Sequence, residues 1–448
     1  MTTPDGQSGP HPGIAAAQDE VATIVQGLIR IDSSNFGSHD GPGELEAALF
    51  SQQQLADVGI DSEVFTTTAE HRAGVIARIH GANPDRPALL LHGHLDVVPA
   101  PEPDWSHGPF SGDIDENGVL WGRGAVDMKD MDGMCLAVIR HWARDGVLPD
   151  RDIVFLLLPD EEAGGHHGSH WLVENRPEIF EGVTEAVGEV GGFSSTIAGG
   201  HRLYPIQTAE KGIAWLKIST RGTPGHGSLL RTDNAVARLC AVGAQLGHEA
   251  FDVELTPTVR DLLDRIAVIT GKEVPIHDHE AMIRDFGALG PIILSTTRHT
   301  TNLTMLDAGY KQNVVPEDAH AYLDGRFLPG KEDEFLAEID RVLGDHARRE
   351  YVNRDIAVET TFDGPTIDAM CAALAIEDPD GIPVPYLMSG GTDAKAFSAI
   401  GIRCYGFSPL ALPPELDFMG MFHAVNERVP VDALKFGVRV LDRFLRSC

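Results

Sequence analysis

The chain has 448 residues, 42% apolar and 23% charged, with 35 basic against 67 acidic side chains and a formal charge of −32. That length allows about three domains or two large ones, and either way a sizeable core. The negative balance argues against nucleic acid or an anionic membrane as the principal partner, though it leaves room for one local basic pocket, and no apolar run approaches the about 18 residues of a membrane span, so a soluble protein is expected.

The first Arg or Lys is Arg30, so the N-terminal stretch lacks the features of a signal peptide. Met1 to Gly13, rich in Pro, Gly, Ser and Thr, is expected to fray. Five cysteines (Cys135, Cys240, Cys371, Cys404 and Cys448) lie far apart without CxxC spacing, which fits a reducing cytoplasm and no disulfide framework.

In chain order, Val21, Ile24, Val25, Leu28 and Ile29 predict a helix, and Leu45, Leu49 and Leu55 a second. Strands are predicted at 64–67, 74–79, 88–92 and 153–158, alternating with helical patterns such as Met131, Met134, Cys135, Val138, Ile139 and Trp142. This is the pattern of an α/β domain with a largely parallel sheet and a site at the carboxyl ends of its strands. From Lys211 the pattern changes to a strand (212–222), a helix (235–246), two strands (301–308 and 319–327), a helix (335–343) and a strand (356–362), a compact α+β unit. The α/β character returns through 404–407 and a C-terminal helix at 431–445. The reading is therefore a first domain in two parts, 1–211 and 359–448, with an inserted domain at 212–358.

The chemistry concentrates at strand ends. Asp160, Glu161 and Glu162 follow the apolar run Ile153–Pro159, where crowded carboxylates repel one another and lose water unless cations compensate. His94 and Asp96, in Gly93-His94-Leu95-Asp96, end another strand, and there the imidazole suits a metal while Asp96 holds its other N–H; a structural histidine is the alternative. Asp127, in Gly122-Arg123-Gly124-Ala125-Val126-Asp127, reads as a ligand or as the N-cap of the next helix. Glu189 closes a further strand (185–187), and His423 lies far downstream before Asn426-Glu427.

Together these motifs resemble, in order and approximate spacing over nearly the whole chain, the co-catalytic zinc amidohydrolase and peptidase family of aminoacylases, carboxypeptidase G-type enzymes, succinyl-diaminopimelate desuccinylases and acetylornithine deacetylases. The resemblance implies an α/β catalytic domain with a ferredoxin-like lid and dimerisation insert. It implies two divalent ions bridged by Asp127, with His94 and Glu189 completing one site, Glu162 and His423 the other, and Glu161 as base. Two cations neutralise the crowded carboxylates, lower the pKa of a bridging water and polarise the substrate carbonyl. Ligands without thiolate suit zinc and allow cobalt or manganese.

The inserted domain carries further matches. His226, in Thr223-Pro224-Gly225-His226-Gly227-Ser228, resembles the histidine that reaches across a dimer to an oxyanion. Asn313 and Arg326 resemble substrate contacts, Arg326 as a clamp for a carboxylate. Gly391 and Thr392, in Ser389-Gly390-Gly391-Thr392-Asp393, resemble a loop on the substrate backbone, with a plain turn as the alternative. His166 and His167 match no ligand position and are expected at the rim.

The implied function is hydrolysis of an amide next to a free carboxylate in an N-acyl amino acid or short peptide, in the cytoplasm, by a homodimer paired through the insert. A desuccinylase or deacetylase-type deacylase and a non-catalytic relative are the alternatives. The retention of all five ligands, Glu161 and His226 speaks against the last.

Overall fold

The computed structural model describes residues 13–37, 41–69, 71–248 and 251–448. Residues 1–12 of the expected fraying tail lie outside these. The chain forms two compact units, one made of residues up to Gln207 with Phe362–Val384 and Thr392–Cys448, the other of Thr208–Thr361 with Pro385–Gly391.

The first unit is built on a mixed sheet in the strand order Ser62–Thr66, Ala73–Ile79, Ile153–Leu158, Ala88–His94, Val183–Gly188, Arg403–Gly406. The last four run parallel and the first two antiparallel. Every residue of Ile153–Leu158 and Ala88–His94 is buried, as strands covered on both faces require. The period-2 alternation assigns each side chain to a face. Leu89, Leu91, Ile153, Phe155 and Leu157 join a core with the helices Ile14–Ile29, Lys129–Asp145 and Val431–Ser447. Leu90, Val154, Leu156 and Leu158 join another with Leu172 and Phe397 of two shorter helices.

The helices follow from their apolar spacing. In Val431–Ser447 the buried Leu434, Val438, Leu441 and Leu445 recur at helical intervals. Lys129–Asp145 buries almost its whole length and stops at Gly146, whose φ of 65° suits the left-handed cap.

The second unit has a four-stranded antiparallel sheet in the order Thr300–Ala308, Asp318–Phe327, Gly212–Arg221, Ala347–Asp355. This is the strand order of a split β-α-β unit. Ala214, Leu216, Ile218, Ala321 and Leu323 form one face and pack against Leu239, Phe335 and Ile339. It departs from the sequence reading in three ways. The last strand is Ala347–Asp355, followed by the two-residue strand Val358–Glu359; three helices, Pro257–Thr270, His279–Phe286 and Leu289–Thr296, enter between the first helix and second strand; and Pro385–Gly391 joins the unit.

Candidate metal centre

In the first unit the parallel strands deliver their carboxyl ends to one edge of the sheet. His94 is the last residue of its strand, Glu189 directly follows Val183–Gly188, and Asp160, Glu161 and Glu162 follow Ile153–Leu158. Gly93 lets the helix Lys129–Asp145 pack close to this strand end: a Cβ there would lie 2.1 Å from Asp132 Oδ1. Asp127 precedes the helix Lys129–Asp145, but the N-cap is Met128 and no side chain caps it. The capping alternative therefore fails, and the Asp127 carboxylate is free to face the site. The Asp127–Met128 peptide is cis.

Asp127 turns its two oxygens to different imidazoles. Oδ1 lies 3.1 Å from His94 Nε2 and Oδ2 3.2 Å from His423 Nε2. Around the first imidazole stand Glu189 at 3.6 Å and Glu161 at 3.9 Å; beside the second stands Glu162 at 3.1 Å. Ligand atoms of His94, Glu161 and Glu189, and of His94, Asp127 and Glu162, lie within 4.8 Å of one another. Three of the five described non-glycine residues with positive φ belong to this cluster or directly adjoin it in the chain: Asp160, Val190 and His423. Such conformations cost about 1–3 kcal/mol each and persist where the surroundings impose them.

The electrostatics fit divalent cations. Burial pushes Glu189 up to about 8, and burial with the charge of Glu189 raises Glu161 well above the carboxylate range. Glu162 is raised by burial and by Asp127. Hydrogen bonds that the His423 ring donates to Asp127 and Glu162 hold its pKa up to about 10. Burial opposes charge on His94, yet Glu189 and Asp127 raise it. Imidazoles shifted toward the cation, and Glu161, Glu162 and Glu189 shifted toward the acid while Asp127 alone is lowered, describe a cluster lacking positive charge, and ions coordinated by neutral imidazole and ionised carboxylate would supply it.

The description Peptidase family M20/M25/M40 matches residues 90–447. The chain belongs to that family. Aminoacylase-1 of Sus scrofa is 26% identical over 457 residues, covering 99% of this chain and 96% of the relative. The fold matches an M20 family metallo-carboxypeptidase, Sso-CP2, from Sulfolobus solfataricus, with a TM-score of 0.73, 20% identity and 96% and 99% of the two chains covered. It also matches a dinuclear metal-binding M20 peptidase from Bacillus subtilis, with a TM-score of 0.61, 14% identity and 97% and 100% covered. This M20 family member is a metal-dependent hydrolase.

Residues outside the proposed ligand set hold it in place. The His94 ring nitrogen Nδ1 meets the main-chain carbonyl of Asp96 at 2.9 Å, while the Asp96 carboxylate is 3.6 Å away. The sequence reading gave that N–H to the carboxylate; instead the carboxylate accepts the main-chain N–H groups of Glu161 (3.1 Å) and Glu162 (3.0 Å) and the Asn35 amide (2.8 Å). Asp160 turns away from the cluster to His167 N (2.8 Å), Asn35 (3.2 Å) and Arg72 (3.5 Å). Arg72 in turn pairs with buried Glu44. Glu427 accepts the N–H groups of Gly124, Val126 and Asp127 at 3.1, 2.7 and 3.0 Å and pairs with Arg123 at 2.7 Å, fixing the loop that carries Asp127. Asn35, Arg72 and Glu44 carry no local signal; Glu427 lies in a recognised motif, but its partners lie about three hundred residues away. His166 is exposed and His167 half-buried.

His226, Asn313 and Arg326 belong to the second unit. His226 is exposed, and its Nδ1 accepts the Ser228 N–H (3.2 Å), which leaves the ring proton on Nε2. The Asn313 carbonyl accepts the Gly227 N–H (2.9 Å), bringing that residue beside the His226 loop. Arg326 forms two hydrogen bonds with Asp324, at 2.6 and 3.0 Å. Gly391 falls in the second unit and Thr392 in the first, where the Thr392 hydroxyl accepts Ala394 N (3.1 Å) at the start of the helix Ala394–Ala399.

Proposed function

We propose that this protein hydrolyses the amide bond of an N-acyl amino acid or short peptide bearing a free carboxylate, at two zinc ions. The observation that carries this reading is Asp127, one carboxylate facing two imidazoles, each flanked by a further acid. His94, Asp127 and Glu189 would hold one ion, Asp127, Glu162 and His423 the other. When bound, the pair supplies a water of lowered pKa and Lewis-acid polarisation of the carbonyl. A donor set of imidazole and carboxylate suits zinc, with cobalt and manganese as functional substitutes.

Glu161 is the proton carrier. Its main-chain N–H is tied to Asp96 (3.1 Å), and its carboxylate stands 3.9 Å from His94 Nε2 without being one of the proposed ligands, which suits a group that accepts a proton and passes it to the leaving amine. The Nε2–H of His226 is the donor for the developing oxyanion. The names of the relatives, an aminoacylase and a carboxypeptidase, support an acylated or peptide amide next to a carboxylate.

The second unit serves as lid and dimer interface. Its strand Thr300–Ala308 lies at the edge of the sheet with Met305 and Leu306 exposed, a surface suited to a second copy. Five free cysteines support a cytoplasmic location, and among the described residues no helix is long and apolar enough to cross a membrane. A turnover panel of N-acyl amino acids, dipeptides and succinylated diamines with zinc-loaded protein tests the assignment. Hydrolysis of the first or second class is expected; hydrolysis confined to succinylated diamines would overturn it.

A further inference from the structure

Asp160 is the member of the acidic triplet that lies outside the proposed ligand set, and it holds a conformation few side chains adopt. Its φ of 72° is in the left-handed region, which aspartate tolerates better than most residues. It stands at the head of the short helical turn Glu161–Ala163, yet its side chain does not cap that turn. Main chain and side chain together close a larger loop instead. The Asp160 carbonyl accepts the N–H groups of Ala163 (3.3 Å) and Gly165 (2.7 Å), and Oδ2 accepts that of His167 (2.8 Å). Gly168 then brings the chain back against Pro159, where a Cβ would lie 1.9 Å from the Pro159 carbonyl oxygen. The segment carrying Glu161 and Glu162 is therefore a closed loop with Asp160 at its neck.

The other oxygen of Asp160 leads away from the loop. Asn35 Nδ2 donates to Asp160 Oδ1 (3.2 Å) and to Asp96 Oδ2 (2.8 Å), so one amide bridges the acid at the neck and the acid that accepts the loop's N–H groups. Arg72 sets that bridge. Its Nη2 donates to Asn35 Oδ1 (2.7 Å), its Nε lies 3.5 Å from Asp160 Oδ1, and its Nη1 is held by Glu44. A guanidinium can only donate and a carboxylate only accept, so the amide between them has a single orientation. Glu44, Asn35, Arg72, Asp96 and Asp160 are all buried, where charge-assisted hydrogen bonds are strong. His94 and Glu189 are delivered by two other strands.

We propose that Asp160 is a positioning residue: with Arg72 acting through it, it sets the loop that bears the base and one ligand of only one of the two metal ions. The inference rests on the functional reading above for the roles of Glu161 and Glu162, and it gives the third acid of the triplet a role of its own. It carries an asymmetry. Loss of the Asp160 carboxylate displaces Glu161 and loosens the ion assigned to Asp127, Glu162 and His423, and it spares the ion assigned to His94, Asp127 and Glu189.

The test uses two variants that suit the left-handed backbone. Asp160→Gly removes the carboxylate without strain at a φ of 72°, and Asp160→Asn keeps the shape while losing the charge. Zinc binding to stripped protein is followed calorimetrically through both equivalents. In each variant one equivalent should weaken about 10- to 100-fold while the other keeps its wild-type affinity. At saturating zinc, kcat for an N-acetyl amino acid should fall about 10- to 100-fold with KM unchanged. Arg72→Met should show the same pattern, and should cost less in the Asp160→Gly background than alone. Equal weakening of both equivalents, wild-type binding and kcat in both variants, loss of folding in both, or additive losses from Arg72 and Asp160 would each overturn the proposal. Turnover by the wild type is read separately. An inactive wild type whose variants still lose one equivalent selectively would sink the functional reading and uphold the positioning role.

Discussion

Asp96 Oδ1 accepts the main-chain N–H of Glu161 at 3.1 Å. Through this bond the strand ending at His94 fixes the residue proposed as base, so one buried acid coordinates the geometry of two parts of the site. Asp96→Asn keeps the shape but turns one acceptor oxygen into a donor facing N–H groups. Turnover should fall about 10- to 100-fold while both metals remain near full occupancy. Wild-type kcat in that variant would show that the bond does not position Glu161.

Glu161→Gln removes the proton carrier but none of the proposed ligands. Metal content by elemental analysis should stay at two per chain, and kcat should fall about 10²- to 10⁴-fold. Substantial activity would assign the base elsewhere.

Glu427 is expected to matter through Asp127 rather than through substrate. It is fully buried and pairs with Arg123 while accepting three main-chain N–H groups. Glu427→Ala leaves the buried guanidinium without its partner, so chemical denaturation should show a loss of about 3–5 kcal/mol. Metal affinity should weaken about 10- to 100-fold, read by competition with a chelator. Unchanged stability and affinity would refute this role.

The metal-free protein should lose stability as pH rises. Burial pushes Glu189 up to about 8, and hydrogen bonds donated to Asp127 and Glu162 hold His423 up to about 10. Unfolded values are about 4.3 and 6.5, so the native state binds more protons and its advantage declines from each unfolded value through each folded one. Asp127 is depressed and acts in the opposite sense only in acid, below its ordinary 3.8. Melting temperature of stripped protein should therefore fall between about pH 5.5 and 8.5, and added zinc should raise it more at the upper end. A rise on alkalinisation would contradict the crowded-carboxylate account.

The elements legible in the sequence were those whose burial is continuous or strictly periodic. Ile153–Leu158 reads as a strand because both faces are covered, and the acids beyond it mark the sheet's functional edge. Ala347–Asp355 carries no strand signal, because its run of Arg, Glu, Asn and Asp lies on a largely exposed edge with no apolar alternation. Gly381–Met388 does not read as a strand, because two prolines interrupt it. The site divides the same way. His94, Asp127, Glu162, Glu189 and His423 sit in motifs that can be recognised locally, but the links from Asn35 to Asp96 and from Arg123 to Glu427 join segments 61 and 304 residues apart. Only folding reveals such pairs. The Arg326–Asp324 contact, by contrast, was visible as two side chains on one face of a strand.

The central claim, hydrolysis at a two-metal site, is tested most directly by titrating stripped protein with zinc while following turnover of an N-acetyl amino acid. Activity should be absent at the start and reach its plateau at two equivalents per chain. Full activity without metal, or a fully loaded protein that cleaves neither N-acyl amino acids nor dipeptides, would contradict it.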